Sequence, residues 1–391
     1  MQSGERCSAL LRRLTGERVA RPLFSVVMPT CNRREALALA LGSWERQLPA
    51  DLPFELVVVD DGSSDGTAEL LEGRRSDRFR LRVVRQDNAG PAAARNRALG
   101  MVEGDLVLFT GDDIEPGPRL LVEHRAGHDR YGDACVAILG LTHWPEGADI
   151  TATMRHVDGV GAQQFSYQYL RDGTEYDFRH FYTSNVSVCR SLLELEPSGF
   201  CTEFPAAAFE DAEFAYRLSM HGLEIRYRAA ARAAHHHRYD VGSFFARQQR
   251  CGKMAAVLYR VQPALKKWLD IRRLEWRRLE RLTADRSDVE LAVERDLERW
   301  ELQAVALAAV YDRTPAAGVV DALLLPLFEY AYLSGLASAM FGPRSGRAVR
   351  AAEYLRLLPP AVRELERRAA SAGVPVPRCD AEAIGRLAKA G

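Results

Sequence analysis

The chain has 391 residues, of which 47% are hydrophobic, and this length exceeds what one hydrophobic core usually holds, so we expect two domains or one domain with a long appendage. Lysine plus arginine and aspartate plus glutamate both number 53, which excludes a surface built as a whole for nucleic acid or anionic lipid. Seven scattered cysteines without a CxxC pair exclude a disulfide framework and a zinc knuckle, and we predict a reducing, cytoplasmic location.

We predict no membrane-spanning segment and no secretory signal. Residues 1–21 lack an apolar stretch between their arginines and are expected to form an N-terminal extension. Residues 322–341 are the nearest candidate for a span. Because Pro326 and Glu329 interrupt this segment, we expect a buried amphipathic helix there instead.

Four short apolar segments alternate with helical segments in the first part of the chain. Residues 24–28, 54–59, 81–84 and 106–109 are mostly β-branched or aromatic and are bounded by Pro, Asp, Asn or Gly, as buried parallel strands are. The segments between them favour helix and are residues 33–46, 67–72 and 91–102. This order predicts an α/β fold with an open, mostly parallel sheet, and ligands of such sheets bind beyond the carboxyl ends of the strands.

A polar loop follows each predicted strand, and the fourth loop is the most informative. It delivers Asp112 and Asp113 directly from an apolar run. Adjacent carboxylates suit Mg²⁺ or Mn²⁺, which are hard cations that often keep positions for phosphate oxygens, so the pair indicates a phosphorylated ligand. The alternative is that the two acids only open a turn or cap a helix near Pro116.

Three downstream segments carry further polar residues. Residues 181–188 form a strand-like run that contains Asn185. Residues 209–217 favour an amphipathic helix that carries Asp211 in its first turn, where acids also favour the helix dipole without any catalytic role. Residues 233–238 contain three consecutive histidines, which are either a metal-binding segment or an exposed surface tract.

The remainder of the chain is predicted to be helical. Residues 268–282 and 289–311 are rich in Leu, Ala, Arg and Glu, and their charged runs are interpreted as solvated helix faces rather than a nucleic-acid patch. The predicted breaks are Pro315, Pro326, Pro359 and Pro360. We expect this region to pack on the preceding domain and to shape access of a substrate or formation of a homodimer.

Together, the loops and their order resemble a family 2 glycosyltransferase of the GT-A fold, an enzyme that transfers a sugar from a nucleotide-sugar donor. The resemblance covers roughly residues 22–252. It implies a Rossmann-like, mostly parallel sheet flanked by helices, with a C-terminal helical appendage. The implied division is a GT-A domain over residues 22–260, with a nucleotide-binding half (22–115) and an acceptor half (116–260), and a helical region over residues 261–391.

The resemblance also implies a set of nucleotide- and donor-binding residues. These are Pro29, Thr30, Asn32, Arg33, Asp61, Gly90, Arg95, Asp112 and Asn185. Asp61 resembles the acid that contacts the base, Arg95 lies by the diphosphate, and Asn185 faces the donor sugar. The chemistry agrees, because a carboxylate accepts hydrogen bonds from an imide or ribose hydroxyls and an arginine at a helix start pairs with phosphate. Each residue also has a purely structural alternative as a turn, cap or solvated helix residue.

The metal and the base are implied in the same way. Asp113 takes the place of the acid that binds Mn²⁺ or Mg²⁺, His235 is the second ligand, and His237 is the reserve because strand residues two apart face the same side. Gly111 departs from the family pattern, in which an acid is common, and leaves the metal affinity open. Asp211 matches the base that removes the proton of the acceptor hydroxyl in a single inverting displacement, and Glu210 or Glu213 is the alternative base.

The sequence therefore predicts a metal-dependent inverting glycosyltransferase that uses a UDP-sugar and an unidentified hydroxyl acceptor. One alternative, a sugar nucleotidyltransferase, needs a glycine-rich loop after the first strand, and residues 28–33 contain no glycine. The other is a non-catalytic nucleotide-sugar-binding module, which Gly111 favours.

Overall fold

The computed structural model describes residues 22–160, 163–283, 286–312, 317–376 and 384, so the expected N-terminal extension lies outside the described residues. The chain divides into two compact units: one comprises the described residues up to 148 together with 169–237, and the other comprises residues 149–168 and 238–391. Compactness therefore groups residues 238–260 with the C-terminal helices, whereas the predicted domain 22–260 groups them with the sheet. That functional division stays a prediction.

The first unit is built on a nine-stranded sheet in the order β3-β2-β1-β4-β8-β6-β9-β5, with β7 paired to β9. Its strands are β1 (Phe24–Thr30), β2 (Phe54–Asp61), β3 (Arg80–Gln86), β4 (Leu106–Thr110), β5 (Ile114–Pro116), β6 (Val136–His143), β7 (Glu175–Tyr176), β8 (Asn185–Cys189) and β9 (Glu224–His235). The first four strands are mutually parallel, and antiparallel pairing begins where β8 joins β4. The expected α/β class, with a mostly parallel sheet, is confirmed.

Helices flank the sheet and make up the second unit. They are α1 (Arg34–Trp44), α2 (Thr67–Glu72), α3 (Pro91–Leu99), α4 (Leu120–Tyr131), α5 (Ala152–Asp158), α6 (Arg190–Leu193), α7 (Glu210–Ser219), α8 (Val241–Val261), α9 (Ile271–Thr283), α10 (Asp288–Arg295), α11 (Leu297–Ala309), α12 (Ala317–Met340) and α13 (Pro343–Ala372). Helix α5 and helices α8 to α13 belong to the second unit, which confirms the predicted C-terminal helical region.

The core of the first unit lies against the parallel strands. All eight residues of β2 are buried, as are the apolar residues of β1 and β4, which explains why these segments are continuous apolar runs rather than alternating ones. Val26, Leu56 and Leu108 belong to one buried cluster with Trp44 of α1. Strand β3 is at the edge, and its residues are half-buried or exposed.

Three of the four predicted breaks in the second unit are wrong. Pro326 lies inside α12, and Pro359 and Pro360 lie inside α13. A proline inside a helix costs about 3 kcal/mol. Burying a large apolar side chain gains about 1.5–3 kcal/mol, and α12 buries several, so packing outweighs the lost hydrogen bond. Pro315, the other predicted break, lies outside the described residues.

Helix α12 is packed tightly against α8. A Cβ on Gly252 of α8 would collide with the backbone of α12 at Tyr332, and a Cβ on Gly335 of α12 would collide with the backbone of α8 at Gln249. Among the described residues, Gly318–Met340 is the one helix long and apolar enough to cross a membrane, and 67% of its most apolar window is buried inside the structure. This burial agrees with the expectation of a buried helix.

Candidate active site

The turn after β1 brings Arg33 beside the acids that follow β4. Because β1 and β4 are parallel neighbours, their carboxyl ends meet at one edge of the sheet. Thr30 Oγ1 donates a hydrogen bond of 2.7 Å to Asp112 Oδ2. Arg33 Nη1 lies 2.6 Å from Asp113 Oδ2, and Arg33 Nε lies 3.8 Å from Asp112 Oδ1. Four of the predicted site residues therefore lie together.

Asn32 is exposed, and its hydrogen bonds fix the shape of this turn. Its φ of 54° lies in the left-handed region, which asparagine tolerates better than most residues. Its backbone N–H donates to Ser63 Oγ at 2.8 Å, and its side-chain Oδ1 accepts from the N–H of Ser64 at 2.8 Å. Asn32 thus joins the loop after β1 to the loop after β2. Its neighbour Pro29 is the partly buried penultimate residue of β1.

Asp113 faces two histidines at the end of β9. Strand β5 pairs antiparallel with β9, with Ile114 opposite His235, so the chain delivers the histidines next to the acid. His235 Nε2 lies 3.5 Å and His237 Nδ1 lies 3.6 Å from Asp113 Oδ2. One ligand atom from each of the three residues lies within 4.8 Å of the others. The reserve ligand His237 therefore lies as near to the acid as His235 does.

This donor set fits a divalent cation. One carboxylate oxygen and two imidazole nitrogens are the ligand types of Mn²⁺ and of other divalent transition metals. Mg²⁺ is a less natural fit, because it prefers oxygen ligands. Three protein ligands also leave coordination positions for phosphate oxygens and water. The assignment of these residues as ligands stays a prediction.

The two acids differ in their electrostatics. Burial raises the pKa of Asp112 to about 7, and the charge of Asp113 adds to this effect, while Arg33 and the hydrogen bond from Thr30 oppose it. Burial also acts to raise the pKa of Asp113, but hydrogen bonds from His235 and His237, with the charges of His235 and Arg33, outweigh it and hold that pKa well below the usual value. Asp113 is therefore the anion of the pair.

The structure explains why position 111 is a glycine in this chain. A Cβ built on Gly111 would lie 2.9 Å from Asp113 Oδ1 and 3.3 Å from Cγ1 of Ile114. The Asp113 carboxylate thus folds back over Gly111 and occupies space that a side chain at position 111 would need. The departure from the family pattern at this position therefore accompanies a particular orientation of Asp113.

Trp144 is a residue that the sequence reasoning missed. Its ring stacks on His235 with centroids 5.6 Å apart and planes at 10°, and His235 stacks in turn on His237 at 5.6 Å and 28°. The signal was its position directly after β6. Thr142 and His143 pair with Ala233 and Ala234 of β9, so the next residue in register meets His235.

Asp61 holds the loop before α3. Its Oδ1 accepts from the N–H of Ala89 at 2.9 Å and from Gln86 Nε2 at 2.8 Å, and its Oδ2 accepts from the N–H of Gly90 at 2.9 Å. A carboxylate has about four acceptor positions, so one is left for a ligand. Gly90 has a φ of 88° and its N–H is engaged by Asp61. The contact of Asp61 with a nucleotide base stays a prediction.

Arg95 lies in a buried ion pair, and its place by the diphosphate stays a prediction. Its Nη1 is 2.8 Å from Glu210 Oε1, and its Nη2 donates to Thr183 Oγ1 at 2.9 Å. Its guanidinium carbon also lies 5.4 Å from the centroid of the Phe200 ring. The physical reason is that Arg95 is on the buried face of α3, only 8% exposed, where its charge requires a partner.

Asp211 lies in the first turn of α7, next to that ion pair. The turn begins at Phe209, whose φ of 67° is in the left-handed region, and Asp211 Oδ1 accepts from the N–H of Ala212 at 2.8 Å. Burial raises the pKa of Asp211 to about 7, the charge of Glu210 raises it further, and the charge of Arg95 opposes both. A carboxyl group with a pKa near neutrality is suited to act as a general base.

Asn185 is buried in the sheet, and its contact with the donor sugar stays a prediction. Its Nδ2 donates to the carbonyl of Ala231 at 2.9 Å, and its Oδ1 lies 2.8 Å from His124 Nε2. Ser187 Oγ lies 2.8 Å from both His124 Nδ1 and His128 Nε2. Asn185 is 1% exposed, so its polar atoms are used inside the sheet. Asn185, Ser187, His124 and His128 thus form an interior hydrogen-bond network.

Comparison with known proteins finds similarity over about half of the chain. The model of glycosyl transferase family 2 matches residues 25–191. Validoxylamine A glucosyltransferase of Streptomyces hygroscopicus subsp. limoneus is 32% identical over 226 residues, which cover 52% of this chain and 49% of that protein. The poly(ribitol-phosphate) beta-N-acetylglucosaminyltransferase TarS of Staphylococcus aureus strain Mu50 is 38% identical over 92 residues, which cover 23% of this chain and 16% of that protein. The chain thus spans about half the length of the validoxylamine A glucosyltransferase.

Solved structures that match over most of their length include the following example. It is the mannosyltransferase PcManGT from Pyrobaculum calidifontis in complex with GDP-Man and Mn²⁺, with a TM-score of 0.46 and 18% identity, and the match covers 98% of this chain and 95% of that one. At this level of similarity it assigns no site residue.

Proposed function

We propose that the chain, whose residues 25–191 match the model of glycosyl transferase family 2, is a glycosyltransferase that moves a sugar from a nucleoside-diphosphate sugar to a hydroxyl acceptor, with inversion at the anomeric carbon. The observation that carries the proposal is the convergence of Asp113, His235 and His237 at the edge where the parallel strands end. UDP-sugars are the first donors to test. The two relatives are named as a glucosyltransferase and a beta-N-acetylglucosaminyltransferase. These names motivate tests with glucosyl and N-acetylglucosaminyl donors.

The cluster of Asp113, His235 and His237 would stabilise the leaving group through a bound cation. Asp113, His235 and His237 would hold the cation, and Asp112, fixed by Thr30, would face the ribose or a water molecule. A Mn²⁺ or Mg²⁺ ion held there would supply positive charge to neutralise the charge that develops on the departing diphosphate. Asp61 sets the loop of residues 86–90 and has one acceptor position left for the nucleotide.

Asp211 serves the acceptor. Its carboxylate takes the proton of the acceptor hydroxyl while the new bond between that oxygen and the anomeric carbon forms and the bond to the diphosphate oxygen breaks. One displacement from the opposite face inverts the configuration. The buried Glu210–Arg95 pair next to Asp211 keeps the first turn of α7 in place. A cytoplasmic location and a homodimer formed through the C-terminal helices stay predictions.

The proposal is tested by incubating the full chain with UDP- and GDP-sugars and Mn²⁺, with and without candidate acceptors, and by measuring release of nucleoside diphosphate. We expect release from at least one donor, and we expect EDTA to abolish it. Nucleotide binding without any release from the whole donor panel would support a non-catalytic binding module instead. Release of equal rate in EDTA would contradict the role given to the cation.

A further inference from the structure

Arg33 occupies the position beside Asp113 where a metal ion is expected. Asp113 Oδ2 is surrounded by three nitrogens: Arg33 Nη1 at 2.6 Å, His235 Nε2 at 3.5 Å and His237 Nδ1 at 3.6 Å. The oxygen that both histidines approach is therefore the one that the guanidinium already holds. A divalent cation bound to this oxygen would lie close to a second positive charge.

We propose that Arg33 is an internal counter-cation that leaves Asp113 when a divalent metal ion binds there and that then pairs with the diphosphate of the donor. The inference rests on the proposed function and adds a mode of regulation to the same site. It makes metal binding and donor binding depend on one side chain. Without a donor, Arg33 competes with the metal ion, and with a donor the two cations share one larger anion.

The structure allows the side chain to move while the backbone stays fixed. The turn is held through Asn32, which bonds to Ser63 and Ser64, and through the N–H of Arg34, which donates to Asp65 Oδ2 at 3.0 Å. The Arg33 side chain itself is 39% exposed, whereas that of Asp113 is 13% exposed. The guanidinium can therefore exchange its partner without a change in the loop.

Electrostatic repulsion favours displacement of Arg33 from Asp113 over simultaneous binding of Arg33 and a divalent ion to that carboxylate. Repulsion between a divalent ion and a guanidinium at contact distance is strong in a partly buried site, because little water lies between them. A diphosphate brings new acceptor oxygens, and an arginine pairs with phosphate oxygens through a planar pair of N–H groups. Arg33 thus gains a partner at the step in which it loses Asp113.

The first measurement is the affinity for Mn²⁺ alone, with free Mn²⁺ followed by electron paramagnetic resonance in the absence of nucleotide. Arg33→Gln removes the competing charge and should lower the Kd for Mn²⁺ about tenfold, within the usual range of coupling between two bound groups. Arg33→Lys keeps the charge and should lie near the wild type. Arg34→Gln is the matched control, because it removes the same charge from the next residue, whose side chain is exposed.

The second measurement is the affinity for UDP at saturating Mn²⁺. Arg33→Gln should weaken it about tenfold, because the partner of the diphosphate is lost. If Arg33→Gln does not fold, Arg33→Ala serves in both measurements. A Kd for Mn²⁺ that is unchanged or higher in the variants that remove the charge, Arg33→Gln and Arg33→Ala, would overturn the inference and leave the proposed function intact. If the wild type binds no Mn²⁺ even with UDP, the metal dependence in the proposed function fails first.

Discussion

The Arg95 guanidinium and the Glu210 carboxylate form a buried ion pair of 2.8 Å that joins α3 to the first turn of α7. Both side chains are less than a tenth exposed, so removal of one partner would leave an uncompensated charge in the interior. The next residue after Glu210 is Asp211. The pair therefore determines both where the proposed base lies and which charges act on it.

Glu210→Gln should shift the pH dependence of transfer. The group must be deprotonated to accept a proton, so the rate should rise with pH through the pKa of Asp211, which is about 7. Loss of the Glu210 charge removes a cause that raises this pKa and leaves the Arg95 charge that lowers it, so the midpoint should fall by about one pH unit. The measurement is kcat/KM between pH 5 and 9. Glu213→Gln, which removes a buried acid paired with Arg217, is the control. An unmoved midpoint would show that Asp211 does not set the profile.

Gly111→Asp should weaken Mn²⁺ binding although it adds an acid. A Cβ at this position would displace the Asp113 carboxylate, from which it is separated by 2.9 Å. Asp113 Oδ2 would then lose its alignment with His235 and His237. We expect the Kd for Mn²⁺ to rise at least about tenfold, as when the support of a metal ligand is removed. Gly111→Ala should act in the same direction, and tighter binding by Gly111→Asp would refute the steric explanation.

The buried histidines of α4 should make the fold sensitive to acid. Burial lowers the pKa of His124 to about 4 and that of His128 to about 3, whereas both have a pKa near 6.5 when unfolded. Below pH 6.5 the unfolded chain therefore binds more protons, and stability falls as the pH falls. His128→Phe should reduce the slope of unfolding free energy against pH, between pH 6 and 4.5, by up to about 1.4 kcal/mol per pH unit.

The control for that experiment is His221→Gln, because the His221 side chain is 36% exposed and pairs with Glu196 at the surface. Chemical denaturation at several pH values gives the slopes of all three proteins. A slope for His128→Phe equal to that of the wild type would mean that His128 is already protonated in the folded chain.

Much of the sheet edge was readable from the sequence, because the evidence for it is local. Apolar runs followed at once by acids predict buried parallel strands that end at a ligand site, and Asp112 and Asp113 do follow such a strand. The position of His235 was inferred from the strand that precedes it. These inferences need only the order of residues within one segment.

The remaining site residues depend on contacts between distant segments. Arg95 follows a helix start, as a phosphate-binding arginine does, but its partner Glu210 is 115 residues away. Asn185 is occupied by His124 of α4, and Trp144 meets His235 only because β6 and β9 pair with an irregular register. No pattern within one segment reveals such pairings.

The most direct test of the account is the rate of sugar transfer by Asp211→Asn at saturating donor and Mn²⁺. The amide keeps the shape of the carboxylate but cannot accept the proton, so calorimetry should show unchanged binding of UDP and Mn²⁺ while transfer falls about a hundredfold to ten-thousandfold. Glu213→Gln, measured in parallel, should retain transfer. Transfer by Asp211→Asn at the wild-type rate would contradict the central claim that Asp211 is the base.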